Sequence, residues 1–417
     1  MSNTTPLGWE VSSLDQVFSE IKNGCSIDQN TSGDGIPVTR IETISQEKID
    51  YSKVGWVKTT DDIDRFKIEK YDILLSHINS LKHIGKTAIK EDDRRLYHGM
   101  NLLRLKGGKA KFYPVYIHNL LSWEVVREEM RRKAKQAINQ ASLNVQDIKS
   151  LTYVLPPLPE QQKIATILSS VDDVIEKTRA QIDKLKDLKT GMMQELLTKG
   201  IGHTEFKDSP VGRIPAAWDV VELGSVVKLE RGRFSHRPRN DPQFYGGNIP
   251  FLQTGDIPKE APQITVFSQT LNEKGLSVSK LFPRGTLVLT IAATIGEIGI
   301  LEFDSCFPDS LVGLKVNQAK VKPMFILYLM RHFKTELKSL APQTAQKNIN
   351  LDILQPFPIP LPSIGEQELI ANSMGSVDDR VNVLLEKLER IKNTKKALMQ
   401  DLLTGKVRVK PNKSAAL

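Results

Sequence analysis

The sequence predicts an α+β chain built as an internal repeat: two globular halves separated by two long antiparallel coiled-coil helices, related by a pseudo-two-fold axis. Three observations carry this reading. The stretch SSVDDVIEK at 169–177 has a near copy in GSVDDRVNVLLEK at 375–387. The runs around these copies, 160–198 and 366–404, align without a gap at an offset of about 206 residues, half the chain. Elsewhere, short β-like runs such as DILLS, NLLRLK, TLVLTIAA and LVGLKV are punctuated by Gly, Pro and Asp turns.

The first half opens with GWEVSSLDQVF, which matches AWDVVELGSVV in the second, placing Trp9 over Trp218, Val11 over Val220 and Leu14 over Leu223. GIPVTRI from Gly35 falls over NIPFLQTGDI from Asn248, YDILLS over GTLVLT, and NLLRLK over SLVGLK. Pro114 and Pro323 each open an apolar helical run, and Gln140 and Asn144 fall over Gln346 and Asn350. The matches keep one order, as a duplication requires. The expected organisation is a globular domain at 1–155, a helical spacer at 156–200, a second globular domain at 201–358, a second spacer at 359–408 and a tail at 409–417.

The spacers show their period directly. Ile164, Leu168, Val171, Ile175, Ile182 and Leu185 follow the alternating three and four steps of a coiled-coil seam, interrupted by Thr178 and Lys189. The second copy supplies Ile370, Met374, Val377, Val381, Leu384 and Leu388, with Lys395 in the place of Lys189. Prolines precede each helix, and Gly200 and Gly405 follow QELLT and QDLLT as stops. A helix of about 39 residues is roughly 58 Å long and cannot cover its own apolar stripe, so the two copies are expected to pack together, antiparallel.

The 417 residues suffice for two to four domains, and 58 Lys and Arg against 49 Asp and Glu give a net charge of +9, which suits a polyanionic partner. The two cysteines, Cys25 and Cys306, lie far apart with no CxxC, so no zinc site or disulfide framework is indicated. The N-terminus lacks the pattern of a signal peptide and no apolar run approaches a membrane span, so a soluble, cytoplasmic protein is expected.

Motifs for chemistry are largely missing. There is no P-loop, GxGxxG, HExxH or GxSxG, nor the Asn/Asp-Pro-Pro-aromatic signature of amino-methyltransferases. Pro308-Asp309 followed by Glu336-Leu337-Lys338 meets a loose nuclease spacing, but Asp309 precedes a repeat strand whose first copy has Met100 there. The acidic pairs Asp172-Asp173 and Asp378-Asp379 point about 100° apart on a helix and do not converge on one ion. They read as solvated flanks of the seam or as a docking edge for another subunit.

Basic and amide residues point towards nucleic acid. ERGRFSHRPRNDPQFYGG places Arg231, Arg233, Arg237 and Arg239 in a Gly- and Pro-rich loop, with Lys82, Lys86, Arg94 and Arg95 as looser counterparts in the first half. Gln253 and Thr254 align with Thr39 and Arg40, and Gln346, Lys347 and Asn348 with Gln140, Ala141 and Ser142. Amide and guanidinium side chains suit base edges and phosphates.

These residues together resemble the specificity subunit of type I restriction-modification systems. The resemblance rests on the two GW/AW openings, on RGRF…YGGNIPFLQTGDI, and on LPPLPEQQKIA running into LLTKG and repeated as LPSIGEQELIA into LLTGK. It covers nearly the whole chain. It implies two target recognition domains, each reading one half of a bipartite double-stranded DNA site, with the helices fixing the gap. It also implies docking of two modification subunits carrying S-adenosylmethionine and of restriction subunits using ATP and Mg²⁺, with no cofactor and no catalytic residue on this chain. Rival readings are a stand-alone DNA methyltransferase or nuclease, and a non-specific coiled-coil scaffold.

Overall fold

The computed structural model describes residues 5–107, 112–138, 140–341 and 348–410. They fall into two compact units, Met1–Lys177 with Leu388–Leu417, and Thr178–Lys387. The long helices Leu158–Lys199 and Ile364–Leu403 each contribute one part to each unit.

In the first unit a four-stranded antiparallel sheet runs in the order Glu20–Asn23, Leu103–Lys106, Ile73–Leu75, Thr87–Ile89. Its central strand is buried on both faces, as its uninterrupted apolar run requires. Ile73 and Leu75 face a core with the helices Pro114–Ser122 and Glu124–Lys133, whereas Leu74 faces a second cluster with Ile44, Val54 and Leu96. The strand Glu10–Ser13 pairs antiparallel with Thr152–Leu155.

The second unit repeats the plan with additions. Its main sheet runs Val227–Arg231, Leu311–Val316, Leu287–Thr290, Ile298–Leu301, Gln263–Ile264. Leu287 and Leu289 face the core containing the helix Pro323–His332, and Val288 faces the opposite cluster. Asp219–Glu222 pairs with Pro358–Leu361, matching the terminal pair of the first unit. A further four-stranded sheet is added, in the order Gln269–Leu271, Tyr245–Phe251, Ser305–Cys306, Leu281–Phe282. Both cysteines are free and buried.

Each helix starts on the same polar device. Gln161 Nε2 donates to the Pro156 carbonyl (2.9 Å) while its Oε1 accepts from the Tyr113 amide (3.0 Å). Gln367 repeats both bonds, to Pro362 (2.9 Å) and from Lys322 (2.9 Å). The neighbouring carboxylates take the tryptophans of the two openings: Trp9 Nε1 donates to Glu160 (3.1 Å) and Trp218 Nε1 to Glu366 (2.9 Å). The end of the other helix then joins each carboxylate. Arg408 forks onto Glu160 through two bonds of 2.8 Å, and Glu366 accepts from the Ile201 amide and pairs with His203, both at 2.9 Å. Burial opposes the charge on Glu160, but Arg408 and Trp9 outweigh it and hold its pKa below the ordinary range. The helices end at Gly200 and Gly405, both with positive φ, and a β-carbon at Gly200 would strike Glu366 and Trp218.

Within each unit the helix segments run antiparallel. In the first, Glu160 meets Arg408 and Asp172 meets Lys395 (2.6 and 2.8 Å); in the second, Glu366 meets Ile201 and Asp378 meets Lys189 (2.5 Å). Ile164, Leu168, Ile175, Ile182, Ile370, Met374, Val377, Val381 and Leu388 are buried, and Val171, Leu185 and Leu384 half-buried. A side chain fully buried in this way contributes about 1.5–3 kcal/mol. The seam interruptions have distinct roles: Thr178 is buried, and the two lysines reach the SVDD aspartates. Asp378 also accepts from the buried Tyr328 hydroxyl (2.7 Å), a partner for which Asp172 shows no equivalent hydrogen bond among the described residues.

The repeated ion pairs are therefore unequal. The side chains of Asp378 and Lys189 are 10% and 13% exposed, against 43% for Asp172. Asp378→Ala strands a buried ammonium and a phenol and is expected to cost about 3 kcal/mol. Asp172→Ala is expected to cost under about 1 kcal/mol. Urea unfolding of both variants compares them, and equal costs would contradict the difference in burial.

His77 and His98 are buried in the first unit, and desolvation lowers both imidazoles from 6.5 to about 4. Their neutral forms favour the fold, so their contribution is full above pH 6.5 and is lost as pH falls through about 4. Asp72 acts oppositely, because burial raises it to about 6 and its contribution is lost as pH rises through that value. Burial lowers His118 of the same unit to about 4 as well, so three imidazoles outweigh one carboxyl and the melting temperature should fall from pH 6.5 to 4. The fall should be shallower in His98→Gln, whose amide can still donate to the Leu102 carbonyl that His98 Nε2 contacts at 2.9 Å.

Candidate nucleic-acid interface

The arginine loop follows the edge strand Val227–Arg231 and is pinned from below by aromatic packing. Phe234 is buried among Phe244, Tyr245 and Phe251, with ring centroids 5.3–6.0 Å away. Three of the arginines gather on Asp309. Arg231 Nε donates to its carbonyl (2.6 Å), Arg239 to its carboxylate (2.6 Å), and Arg237 lies 3.9 Å from the same carboxylate. Arg233 instead donates to the Ser279 carbonyl (2.9 Å). One carboxylate against three half-exposed or exposed guanidinium groups leaves a cationic surface, and Asp309 is its organiser.

Arg239 lines an open cleft of about 510 Å³ with Phe234, Tyr245, Phe251, Gln253 and Gln269. Gln253 caps the 3₁₀ turn Thr254–Asp256 by donating its amide to Asp256 Oδ2 (2.7 Å), and its side chain donates to Gln269 Oε1 (3.0 Å). Thr254 is half-buried on that turn.

The first unit has a cleft of about 320 Å³ in the corresponding place, lined by Cys25, Asp28, Gln29, Arg40, Glu42 and Asn101 among others. Arg40 caps the 3₁₀ turn Ile41–Ile44 through its amide and Thr43 Oγ1 (2.8 Å), and its guanidinium lies 3.5 Å from Glu42. The structure thus equates Arg40 with Gln253, one position away from the alignment that set Gln253 and Thr254 against Thr39 and Arg40. Thr39 corresponds to the buried Leu252. It is itself buried, and its hydroxyl accepts the Gly99 amide (2.9 Å).

The other sequence candidates lie apart from these clefts. Lys86 donates to the Ser45 carbonyl (2.8 Å), and Lys82 is exposed. Arg94 pairs with Asp92 and stacks 3.6 Å from the Tyr51 ring centroid, while Arg95 donates to the Tyr97 hydroxyl. Gln140 and Ser142 are exposed on the strand Gln140–Ser142, which pairs with Ile78–Asn79 and Lys135–Ala137. Asn348 is half-buried and bridges to Ala292; Gln346 and Lys347 lie outside the described residues. Asp173 and Asp379 are exposed, whereas Asp172 and Asp378 are engaged along the seam.

Sequence reasoning missed a lysine cluster. Glu230 receives Lys228 (2.8 Å), Lys280 (2.8 Å) and Lys315 (3.3 Å), and these contacts, Lys228 foremost, lower its pKa to about 2. Lys228 and Lys315 stand opposite each other on the paired strands Val227–Arg231 and Leu311–Val316, and Lys280 arrives from a separate segment beside Ser279, which bridges to Phe234. Gln269 and the acidic lining of the smaller cleft were also missed. Among the described residues, no group of three or more His, Cys, Asp or Glu is placed to hold a metal ion, and no helix is long and apolar enough to cross a membrane.

A family profile described as the type I restriction modification DNA specificity domain matches twice, at residues 6–187 and 215–393. The chain belongs to this specificity family. It is 37% identical over 410 residues to a putative type I restriction enzyme MjaX specificity subunit from Methanocaldococcus jannaschii, covering 97% of this chain and 95% of that one. It is 25% identical over 190 residues to the EcoKI specificity subunit of Escherichia coli K12, covering 45% and 41% of the two chains. The fold is similar to the crystal structure of a type I restriction-modification S subunit from M. genitalium, with a TM-score of 0.58 at 14% identity over 96% of this chain and 98% of that one. The two matches of the specificity family fall on the two halves of the repeat, and each contains one of the clefts.

Asp309→Ala removes the carboxylate shared by Arg239 and Arg237 while leaving Phe234 and the carbonyl contacts of Arg231 and Arg233 in place. Trypsin cleavage after Arg239 is expected to accelerate several-fold, with cleavage after Arg233 little changed. An unchanged digestion rate after Arg239 would show that the loop is held without this carboxylate.

Proposed function

We propose that this chain is the sequence-specific DNA-recognition subunit of a type I restriction-modification complex. The carrying observation is the double match of the specificity family, once on each half of the duplicated chain. Each target recognition domain, 1–155 and 201–358, reads one half of a bipartite double-stranded target. The cationic loop at Arg231–Arg239 and the cluster of Lys228, Lys280 and Lys315 position the phosphate backbone, and polar side chains at the clefts distinguish bases.

The spacers at 156–200 and 359–408 set the gap between half-sites and dock two modification subunits. Of the four SVDD aspartates, Asp173 and Asp379 are the exposed pair available to such partners. The partners supply S-adenosylmethionine for adenine methylation, and restriction subunits supply ATP- and Mg²⁺-dependent cleavage. This chain contributes recognition and no catalytic group.

Inserting one heptad into 190–198 and one into the facing 369–377 keeps the seam in register and adds about 10 Å, roughly three base-pair steps. Mapping methylated adenines in cells carrying the whole system should show a longer gap between unchanged half-sites. An unchanged gap would refute the role of the helices as spacers.

A further inference from the structure

The two clefts occupy one position in the duplicated fold, yet present different chemistry. In each unit the cleft is bounded by the segment after the sheet's edge strand, Glu20–Asn23 or Val227–Arg231. It is bounded also by the residue capping a 3₁₀ turn, Arg40 or Gln253, and by the approach to the next sheet strand, at Asn101 or Pro308. The same backbone frame recurs twice, as a site used twice would require. The side chains on it have diverged.

In the second unit the cleft carries the Gln253–Gln269 amide pair. Their mutual bond uses one donor hydrogen and one acceptor, so the pair keeps spare hydrogen-bonding capacity at the Gln253 amide oxygen and the Gln269 amide nitrogen, with Gln269 exposed and Gln253 half-buried. An acceptor beside a donor complements adenine, whose major-groove edge presents the N6 amino group and N7. Arg239, fixed on Asp309, gives the same cleft a cationic wall for the approaching backbone. Phe234 and Phe251, both buried, line the same cleft.

In the first unit the capping side chain is the Arg40 guanidinium, 3.5 Å from Glu42, with Asp28 and Asn101 on the same lining. A guanidinium complements guanine O6 and N7, and a carboxylate complements the N4 amino group of cytosine. Together they match one G·C pair.

We propose that these clefts are the base-reading sites of the two recognition domains, the amide pair of Gln253 and Gln269 selecting an A·T pair and the Arg40–Glu42 pair selecting a G·C pair. The inference rests on the DNA-recognition reading given above and names the edges it reads. It places Gln269, on a different element from Gln253, and Glu42, on the turn that Arg40 caps, among the specificity-determining residues.

The test is methylation mapping by sequencing in cells carrying the complete system, with Gln269→Ala, Gln269→Glu and Arg40→Ala. Gln269→Ala is expected to relax one A·T position of one half-site by about tenfold, leaving the other half-site unchanged. Gln269→Glu, which replaces a donor with an acceptor, should move preference at that position towards a base pair offering a cytosine amino group. Arg40→Ala should relax one G·C position of the opposite half-site. A motif unchanged in all three, or a uniform drop in methylation at every site with no position relaxed, would overturn the proposal while leaving the recognition function standing. Absence of any bipartite methylated motif in the wild type would instead overturn the recognition reading itself.

Discussion

An apolar seam some forty residues long has no means of shielding itself, and that constraint organises the chain. In each unit the answer is the same: part of one long helix lies antiparallel against part of the other, so neither helix is complete without its copy. The polar fittings follow from this pairing. Glu160 and Glu366 stand at the starts of the two helices and collect the tryptophan that precedes the strand Glu10–Ser13 or Asp219–Glu222, and a group beyond the end of the opposite helix. The chain's first and last described segments meet at one of these carboxylates, where Arg408 also reaches the Leu7 carbonyl.

The seam lysines and SVDD aspartates extend the same logic. A charge placed in an apolar stripe is costly unless its partner lies at one register, so a slip of either helix would leave Lys189 buried and unpaired. This gives the repeated motif a role within the fold. It also accounts for asymmetry within the repeat: the second copy adds the Tyr328 hydroxyl and buries the pair, while the first keeps Asp172 partly in water.

The globular parts show what duplication preserves and what it releases. The central sheet order, the terminal strand pair and the Pro-initiated helix recur in both units because they carry the cores. The cleft linings differ because a solvent-facing side chain on a fixed frame can change without disturbing packing. This division separates a shared scaffold from two differently lined clefts.

The long helices, their ends, the seam and the repeat were legible in the sequence, since helical periodicity and Pro and Gly stops are local properties that survive without neighbours. The arginine loop and Gln253 were legible by residue type. The sequence could not place Thr39 inside the protein, because its hydroxyl is consumed by an amide sixty residues away. Nor could it gather Lys228, Lys280 and Lys315 on Glu230, or set Gln269 against Gln253, because those meetings depend on strand pairing and loop return. Periodicity determined the architecture; only the tertiary structure decided which polar groups face inward, since hydrogen bonds between distant segments are made by the fold as a whole.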